Sequence, residues 1–200
     1  MTDRHPSVDH AAATPAARLL AIVGMPGAGK SLLAEHLEAQ GYPKLRFGQI
    51  TMDELARRGW AVTPDNEKIV REEIRQYEGM DAFAARLLPR IKDALASHPS
   101  VILDGLYSFS EYRTLKREFG DQLVIVAVVC DRQLRHARLG AREVRPLTPQ
   151  EAQQRDTLEI ENLEKGGPIA IADYFIDNNG TPEETLAAFA RLLERIGLQT

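Results

Sequence analysis

The sequence predicts an α/β domain built on a parallel sheet, and the strongest observation is the alternation of short apolar segments with stretches of helical periodicity. The apolar segments are Leu19–Val23, 43–47, 101–103, Leu123–Val129 and 174–176. Strands that alternate with helices are typical of right-handed crossovers between parallel strands. Leu123–Val129 is a nearly continuous run of Val, Ile and Ala, as expected of a central strand that is covered on both faces.

Composition and length predict a single domain with an ordinary core. The chain has 200 residues, of which 44% are hydrophobic and 27% are charged. Its 25 Lys and Arg residues against 29 Asp and Glu residues argue against a protein that coats nucleic acid. We expect residues 1–18 to form a disordered leader and residues 19–200 to form the domain.

Cysteine content and hydropathy indicate the compartment. Cys130 is the single cysteine, which excludes an intramolecular disulfide and a zinc site built from several cysteines. A reducing cytoplasm is the natural location for such a chain. No segment reaches the roughly 18 consecutive apolar residues that would span a bilayer, so no association with a membrane is expected.

A glycine-rich segment directly after the first strand carries the most specific signal. Residues 24–31 read Gly-Met-Pro-Gly-Ala-Gly-Lys-Ser and match the phosphate-loop pattern G-x-x-x-x-G-K-[ST] at every specified position. In that pattern the backbone N–H groups and the following helix face the phosphates, the lysine reaches the terminal phosphates, and the hydroxyl binds Mg²⁺. The residues predicted to bind the nucleotide here are Gly24, Met25, Pro26, Gly27, Ala28, Gly29, Lys30, Ser31 and Leu32.

A carboxylate at the end of another apolar segment completes the predicted magnesium site. Asp104 follows residues 101–103 and precedes Gly105. At the carboxyl end of a strand it would lie beside Ser31 and hold Mg²⁺ directly or through water. A turn residue or helix cap is the alternative interpretation of this aspartate.

Arginines recur every three or four residues after the central strand, at Arg135, Arg138, Arg142 and Arg145. They could share one face of a helix and its extension, while Leu134 and Ala137 face the sheet. Arginine supplies planar, permanently charged donors to a transferring phosphoryl group, which makes Arg138 and Arg142 candidate catalytic residues beside Lys30 and Asp104. The alternative is a solvated helix face that pairs with glutamates.

Two segments are too long for simple crossovers between strands. Residues 48–98 predict several helices, notably at 64–77 and 81–96, and we interpret them as an insert that binds a phosphoryl acceptor. Residues 142–168 predict a lid-like segment with another helix, which opens with Thr148, Pro149 and Glu151 in the pattern of a capping box.

These motifs together resemble the P-loop nucleotide and nucleoside kinases, in particular the adenylate-kinase-related and dephospho-CoA-kinase-like group. The matching segments are residues 22–31, the Phe47-Gly48 turn, the Asp104-Gly105 turn, the arginine-rich helix and residues 172–181. The resemblance implies a five-stranded parallel sheet of order 2-3-1-4-5 in a three-layer fold, with a helical acceptor-binding insert and an arginine-bearing lid. It also implies that Asn179 and Gly180 lie beside the nucleotide base.

The sequence departs from these kinases at two acceptor-site positions. Gln49 stands where relatives tend to have an acidic residue, and Leu106-Tyr107-Ser108 stands where they commonly place an arginine. Candidate replacements for the missing arginine and carboxylate are Arg46, Arg57, Arg71, Arg75 and Asp53.

The predicted function is transfer of the γ-phosphoryl group of ATP, with Mg²⁺, to a nucleotide-like acceptor that resembles a nucleoside monophosphate. The alternatives are a dephospho-CoA-kinase-like activity and a regulatory ATPase that has no small-molecule acceptor. The chain has no Asn-Lys-x-Asp motif, which argues against a GTPase switch. Expected partners are ATP and a small phosphorylated acceptor, without nucleic acid, in a monomer or homodimer.

Overall fold

The computed structural model describes residues 19–198, so the predicted leader lies outside the described residues. Their sheet has five parallel strands in the order β2-β3-β1-β4-β5, which confirms the predicted 2-3-1-4-5 arrangement. The strands are β1 (Leu19–Val23), β2 (Lys44–Arg46), β3 (Val101–Asp104), β4 (Leu123–Val129) and β5 (Tyr174–Asp177).

Helices connect every pair of consecutive strands and follow the last one. They are α1 (Lys30–Ala39), α2 (Gln49–Arg58), α3 (Pro64–Glu78), α4 (Ala82–Ser97), α5 (Phe109–Phe119), α6 (Arg132–Gly140), α7 (Pro149–Glu161), α8 (Gly166–Ala170) and α9 (Pro182–Arg195). Residues 48–98 hold α2, α3 and α4, and residues 142–168 hold α7 and the first turn of α8. No helix within residues 19–198 is both long enough and apolar enough to cross a bilayer.

Local sequence explains where several of these helices begin. At α7, the Thr148 side chain accepts a hydrogen bond from the backbone N–H of Glu151, and Pro149 occupies the first helical position. The Glu151 carboxylate in turn accepts from the backbone N–H of Thr148 at 2.8 Å, which completes the predicted capping box. The same reciprocal pattern begins α5 and α9.

The core has two layers because each strand alternates its side chains between the two faces of the sheet. Leu19, Ala21 and Val23 of β1 pack with the insert helices and α5, whereas Leu20 and Ile22 pack with α1 and α9. Every residue of β1 is fully buried, as expected of the central strand of a covered parallel sheet.

The parallel direction of the strands brings their carboxyl ends to one edge of the sheet. Ile22 pairs with Asp104 of β3, and Val23 pairs with Ala127 of β4. Asp177 pairs with Val129 at the end of β5. Segments far apart in the sequence therefore leave the sheet together, at the edge where ligands bind in open α/β folds.

Candidate nucleotide-binding site

The glycine loop between β1 and α1 has a backbone that requires glycine. Gly24 and Gly29 have φ values of 149° and 100°. A Cβ atom at Gly24 would lie 2.5 Å from the carbonyl oxygen of Val128, and one at Gly29 would collide with the Asn178 side chain. Substitution at either position would therefore change the loop, because neighbouring backbone and a buried side chain leave no space for a methyl group.

Two buried side chains from other elements hold the loop from outside. The Asn178 amide donates to the carbonyl oxygen of Ala28 at 2.7 Å and accepts from the Thr185 hydroxyl at 2.8 Å. Arg135 donates to the carbonyl oxygen of Pro26 at 2.9 Å. The loop shape is thereby fixed without a ligand, as a preorganised anion site requires.

The start of α1 leaves its backbone donors to an incoming anion. Gly29 precedes the helix and has no side chain with which to cap it, and the first turn contains no acidic residue. Ser31 is exposed in that turn, whereas Leu32 packs against the core layer of α1 and α9. Uncapped N–H groups and the positive end of the helix dipole favour phosphate at this position.

Lys30 points back along the loop. Its ammonium group donates to the carbonyl oxygens of Gly24 at 2.9 Å and Met25 at 3.3 Å. These contacts fold the Lys30 side chain over the loop. A nucleotide phosphate bound in the loop would be a stronger, charged acceptor for the same ammonium group.

The charges around Lys30 form a compact group. Burial lowers the pKa of Lys30 to about 7, and repulsion from Lys165 and Arg155 acts in the same direction. Glu159 and Asp104 attract the ammonium group and partly oppose that effect. A bound polyphosphate would supply the missing negative charge, so we expect it to raise the pKa of Lys30 again.

Asp104 ends β3 on the strand next to β1. Its carboxylate lies 3.6 Å from the Arg46 guanidinium, and its carbonyl oxygen accepts from the Phe47 backbone at 3.0 Å. A hydroxyl on Ser31 and a carboxylate on the neighbouring strand are the hard oxygen donors that Mg²⁺ prefers. Within residues 19–198 no group of three or more His, Cys, Asp or Glu side chains is arranged to hold a metal ion.

Asn179 and Gly180 lie on the loop after β5. The Asn179 amide accepts from the Asp131 backbone N–H at 2.8 Å and donates to the Asp177 carboxylate at 2.8 Å. This residue therefore ties the end of β5 to the turn between β4 and α6, beside the glycine loop. Gly180 packs against the Glu184 carboxylate, which caps α9. The residue that contacts the glycine loop itself is the preceding one, Asn178.

The arginine-rich segment is less regular than its spacing suggests. Helix α6 ends at Gly140, so Arg142 lies beyond it in an exposed segment. Arg145 lies further along and contacts Glu67 of α3 at 3.5 Å. Arg138 is half-buried and donates to the Cys130 sulfur at 3.3 Å. The structure therefore does not bring Arg138 and Arg142 together on one helical face.

Arg135 is buried on α6, whereas the sequence predicted Leu134 and Ala137 as the residues of this helix that face the sheet. Ala137 is exposed, contrary to the expectation that it faces the sheet. Arg135 instead makes a bidentate ion pair with Asp156 of α7, at 2.9 and 2.8 Å, and His136 lies 2.9 Å from the same carboxylate. Since Arg135 also holds the glycine loop, this pair connects α7 to the phosphate site.

A cavity of about 440 Å³ lies between residues 48–98 and 142–168 and is called here the arginine-lined cavity. Its aromatic wall is Phe47, Phe83 and Tyr107. Arginines also line the cavity. Arg71 and Arg75 belong to α3, Arg145 lies in the segment after α6, and Arg155 belongs to α7. A second cavity of about 680 Å³ adjoins it and shares Arg71, Arg75 and Arg155.

Arg75 differs from the other cavity arginines because its charge is incompletely paired. Its guanidinium carbon lies 4.7 Å from the Phe83 ring centroid, and its Nε atom is buried without a hydrogen-bond partner among residues 19–198. Burial lowers its pKa, and attraction to Glu111 opposes this effect. An orphaned buried donor that lines a cavity is suited to an anionic ligand.

The other candidate replacements for the missing acceptor-site arginine and carboxylate lie in different places. Arg71 lines the cavity with Arg75. Arg57 pairs with Glu54, and Arg46 lies beside Asp104. Asp53 bonds to Gln49 and Arg90 on the exposed side of the insert.

Three features place this protein in a structural class: the glycine loop after β1, the lysine folded over it and the aspartate at the end of β3. They define a P-loop protein with a kinase-like fold. This fold implies nucleotide binding. A family model described as an AAA domain matches residues 20–164. The UPF0200 protein of Thermococcus gammatolerans is 34% identical over 181 residues, which cover 89% of this chain and 95% of that protein. The chain therefore belongs to this AAA domain family and to the UPF0200 family.

Further comparisons agree with this assignment. The UPF0200/UPF0201 protein of Archaeoglobus fulgidus is 32% identical over 90% of this chain, and the chain spans 56% of its length. A gluconokinase from Sinorhizobium meliloti superimposes with a TM-score of 0.54 at 21% identity, over 92% of this chain and 98% of that one. A shikimate kinase from Bacteroides thetaiotaomicron gives 0.55 at 15% identity, over 88% and 98%. These structures confirm the predicted P-loop kinase fold.

Proposed function

We propose that the protein is an ATP-dependent phosphotransferase that transfers the γ-phosphoryl group to a small, anionic, nucleotide-like acceptor. The observation that carries this proposal is the arginine-lined cavity, whose Arg155 and Glu159 also act electrostatically on Lys30. A donor site with free cationic groups and a neighbouring cavity for an anion are the two requirements of such a reaction.

The nucleotide phosphates are proposed to lie in the glycine loop. Lys30 exchanges its carbonyl contacts for phosphate oxygens, and the α1 N-terminus supplies further donors. Ser31 and Asp104 would hold Mg²⁺, which neutralises charge on the phosphates when bound. Arg138 and Arg142 are proposed to contact the transferring phosphoryl group, which requires Arg142 to move inward from its exposed segment. Asn179 and Gly180 border the base.

The acceptor is proposed to occupy the arginine-lined cavity. Arg75 and Arg71 bind its anionic group, and the aromatic wall packs against its apolar part. An acceptor oxygen then forms a bond to the γ-phosphorus as the bond to the leaving diphosphate breaks, and the acceptor proton is released. Residues 142–168 act as the lid, because the Arg135–Asp156 pair links α7 to the glycine loop and a closed lid excludes water.

A screen of ADP release tests the proposal. The panel contains nucleoside monophosphates, dephospho-CoA, shikimate, gluconate and a reaction without acceptor. We expect at least one acceptor to raise turnover well above the blank, Lys30→Ala to abolish that increase, and Lys92→Ala, a change at an exposed position of α4, to preserve it.

A regulatory ATPase is the second candidate function, and a specific observation favours it. Arg71 and Arg145 already pair with Glu67, and Arg155 pairs with Glu159, so most of the cavity arginines have protein partners. Turnover that stays at the blank rate for every acceptor while ATP still binds would support this alternative and contradict the phosphotransferase.

A further inference from the structure

Lys165, in the turn between α7 and α8, is buried although it carries a charge. Only 3% of its side chain is exposed, and its ammonium group pairs with the Glu159 carboxylate. The backbone holds it in place, since the Lys165 N–H donates to the Glu159 carbonyl oxygen at 3.2 Å. Lysine is rarely buried to this extent, because removing an ammonium group from water is costly even when it is paired.

The position of Lys165 relates it to both halves of the site. Its ammonium nitrogen lies 4.7 Å from the centroid of the Tyr107 ring, which lines the arginine-lined cavity. The same ring packs against Gly105, directly after Asp104 at the end of β3. Lys165 therefore lies beside the wall between the cavity and the sheet edge that carries the phosphate site.

The charge balance around Lys165 is incomplete. Glu159 serves both Lys165 and Arg155, and Lys165 and Lys30 repel each other across the site. Burial lowers the pKa of Lys165, and attraction to Glu159 opposes that effect. Cationic groups that share a buried carboxylate, as Lys165 and Arg155 share Glu159, form an arrangement that an added multivalent anion stabilises.

We propose that Lys165 is a second lysine ligand of the γ-phosphoryl group, which leaves Glu159 and binds phosphate oxygen together with Lys30 when a triphosphate occupies the glycine loop. This inference rests on the proposed function and assigns to it a residue outside the phosphate-loop motif. After transfer, the diphosphate no longer reaches Lys165, and Glu159 recaptures the ammonium group. Lys165 therefore distinguishes the triphosphate from the diphosphate.

Calorimetric titration of the full chain with AMP-PNP, a triphosphate analogue, and with ADP tests this role. Because only the triphosphate has a γ-phosphoryl group, we expect Lys165→Met to weaken AMP-PNP binding by about 10- to 100-fold and ADP binding by less than about threefold, as loss of one charge-assisted hydrogen bond implies. The exposed Lys92 provides a matched control, and Lys92→Met is expected to bind both nucleotides as the wild type does.

Variants of Glu159 separate phosphate binding from simple pairing. Glu159→Gln frees Lys165, so the preference for AMP-PNP over ADP is expected to persist. The double variant Glu159→Gln/Lys165→Met removes both charges of the Lys165–Glu159 pair, so it keeps the test valid if Lys165→Met alone does not fold. It is expected to lose the preference as Lys165→Met does.

Three results would overturn the inference. They are an equal loss of AMP-PNP and ADP affinity in Lys165→Met, no loss of either, or a loss of the preference in Glu159→Gln that matches Lys165→Met. In these cases the wild type still binds nucleotide and the proposed phosphotransferase stands. Failure of the wild type to bind either nucleotide would contradict both proposals.

Discussion

The glycine loop and the arginine-lined cavity lie at the same edge of the sheet, but they are constructed in different ways. The loop is one contiguous segment whose shape depends on backbone torsions and on two buried donors, Asn178 and Arg135. The cavity is assembled from α2, α3, α4, α7 and the segments after β2, β3 and α6, and its lining combines charged side chains with an aromatic wall. The shape of the loop is thus held by contacts within the protein, whereas the shape of the cavity depends on how two helical segments approach each other.

This difference in construction explains how one fold can keep phosphate binding by the loop constant while the ligand of the neighbouring cavity varies. Backbone donors in the loop recognise any polyphosphate, since they do not depend on side-chain identity. The acceptor proposed for the cavity would be selected through the number and pairing of the cavity arginines, which single substitutions change. Variants that damage one region and spare the other therefore test the comparison directly.

The largest effect is expected from Gly29→Ala in the loop. The added methyl group would collide with the Asn178 side chain, so the loop must shift and its donors lose their alignment. We expect nucleotide affinity to fall by more than about 100-fold. Gly41→Ala is the matched control, because Gly41 also has a positive φ, of 89°, but has open space around it. That change should cost about 1 kcal/mol of stability without altering nucleotide binding in the same titration.

The next largest effect is expected from a change in the Arg135–Asp156 ion pair, which links α7 to the glycine loop. Asp156→Asn removes the charge that Arg135 and His136 contact, and leaves Arg135 buried without its partner. We expect the free energy of unfolding to fall by about 3 kcal/mol in chemical denaturation, and nucleotide affinity to fall as well, because Arg135 also holds the glycine loop. Unchanged nucleotide affinity would show that α7 does not influence the loop.

The pH dependence of the stability difference between the wild type and Asp156→Asn provides an internal check. Burial tends to raise the pKa of Asp156, but hydrogen bonds from Arg135 and His136 prevail and lower it below the ordinary value for an aspartate. A carboxylate with a depressed pKa stabilises the fold above its unfolded pKa and loses that contribution as the pH falls through its folded pKa. The stability difference between wild type and Asp156→Asn should therefore be constant near neutral pH and narrow below about pH 4.

The same contrast between a contiguous loop and an assembled cavity explains which parts of the two regions the sequence predicted. The glycine loop and the strand ends could be inferred because contiguous residues determine them, whereas the sheet order was predicted from the resemblance to the P-loop kinases. Glu159 and Lys165 were not predicted as site residues, and Arg135 was predicted only as a member of the arginine series. Their importance comes from contacts between distant segments, and a charged residue in a sequence ordinarily indicates a solvated surface. Asn178 stood next to the expected Asn179, but only the loop geometry shows that its amide contacts Ala28.

The smallest effect on the nucleotide is expected from Arg75→Gln in the cavity. Because Arg75 has a buried, unpartnered Nε atom, removing its charge should leave the melting temperature unchanged or higher. The KM for the acceptor selected in the ADP-release screen should rise about tenfold or more, while nucleotide affinity stays within about twofold. Arg113→Gln is the control, since Arg113 also lies over a phenylalanine ring, that of Phe109 at 5.6 Å, but is exposed on α5. A lower melting temperature with an unchanged KM would show that Arg75 supports the insert and does not bind the acceptor.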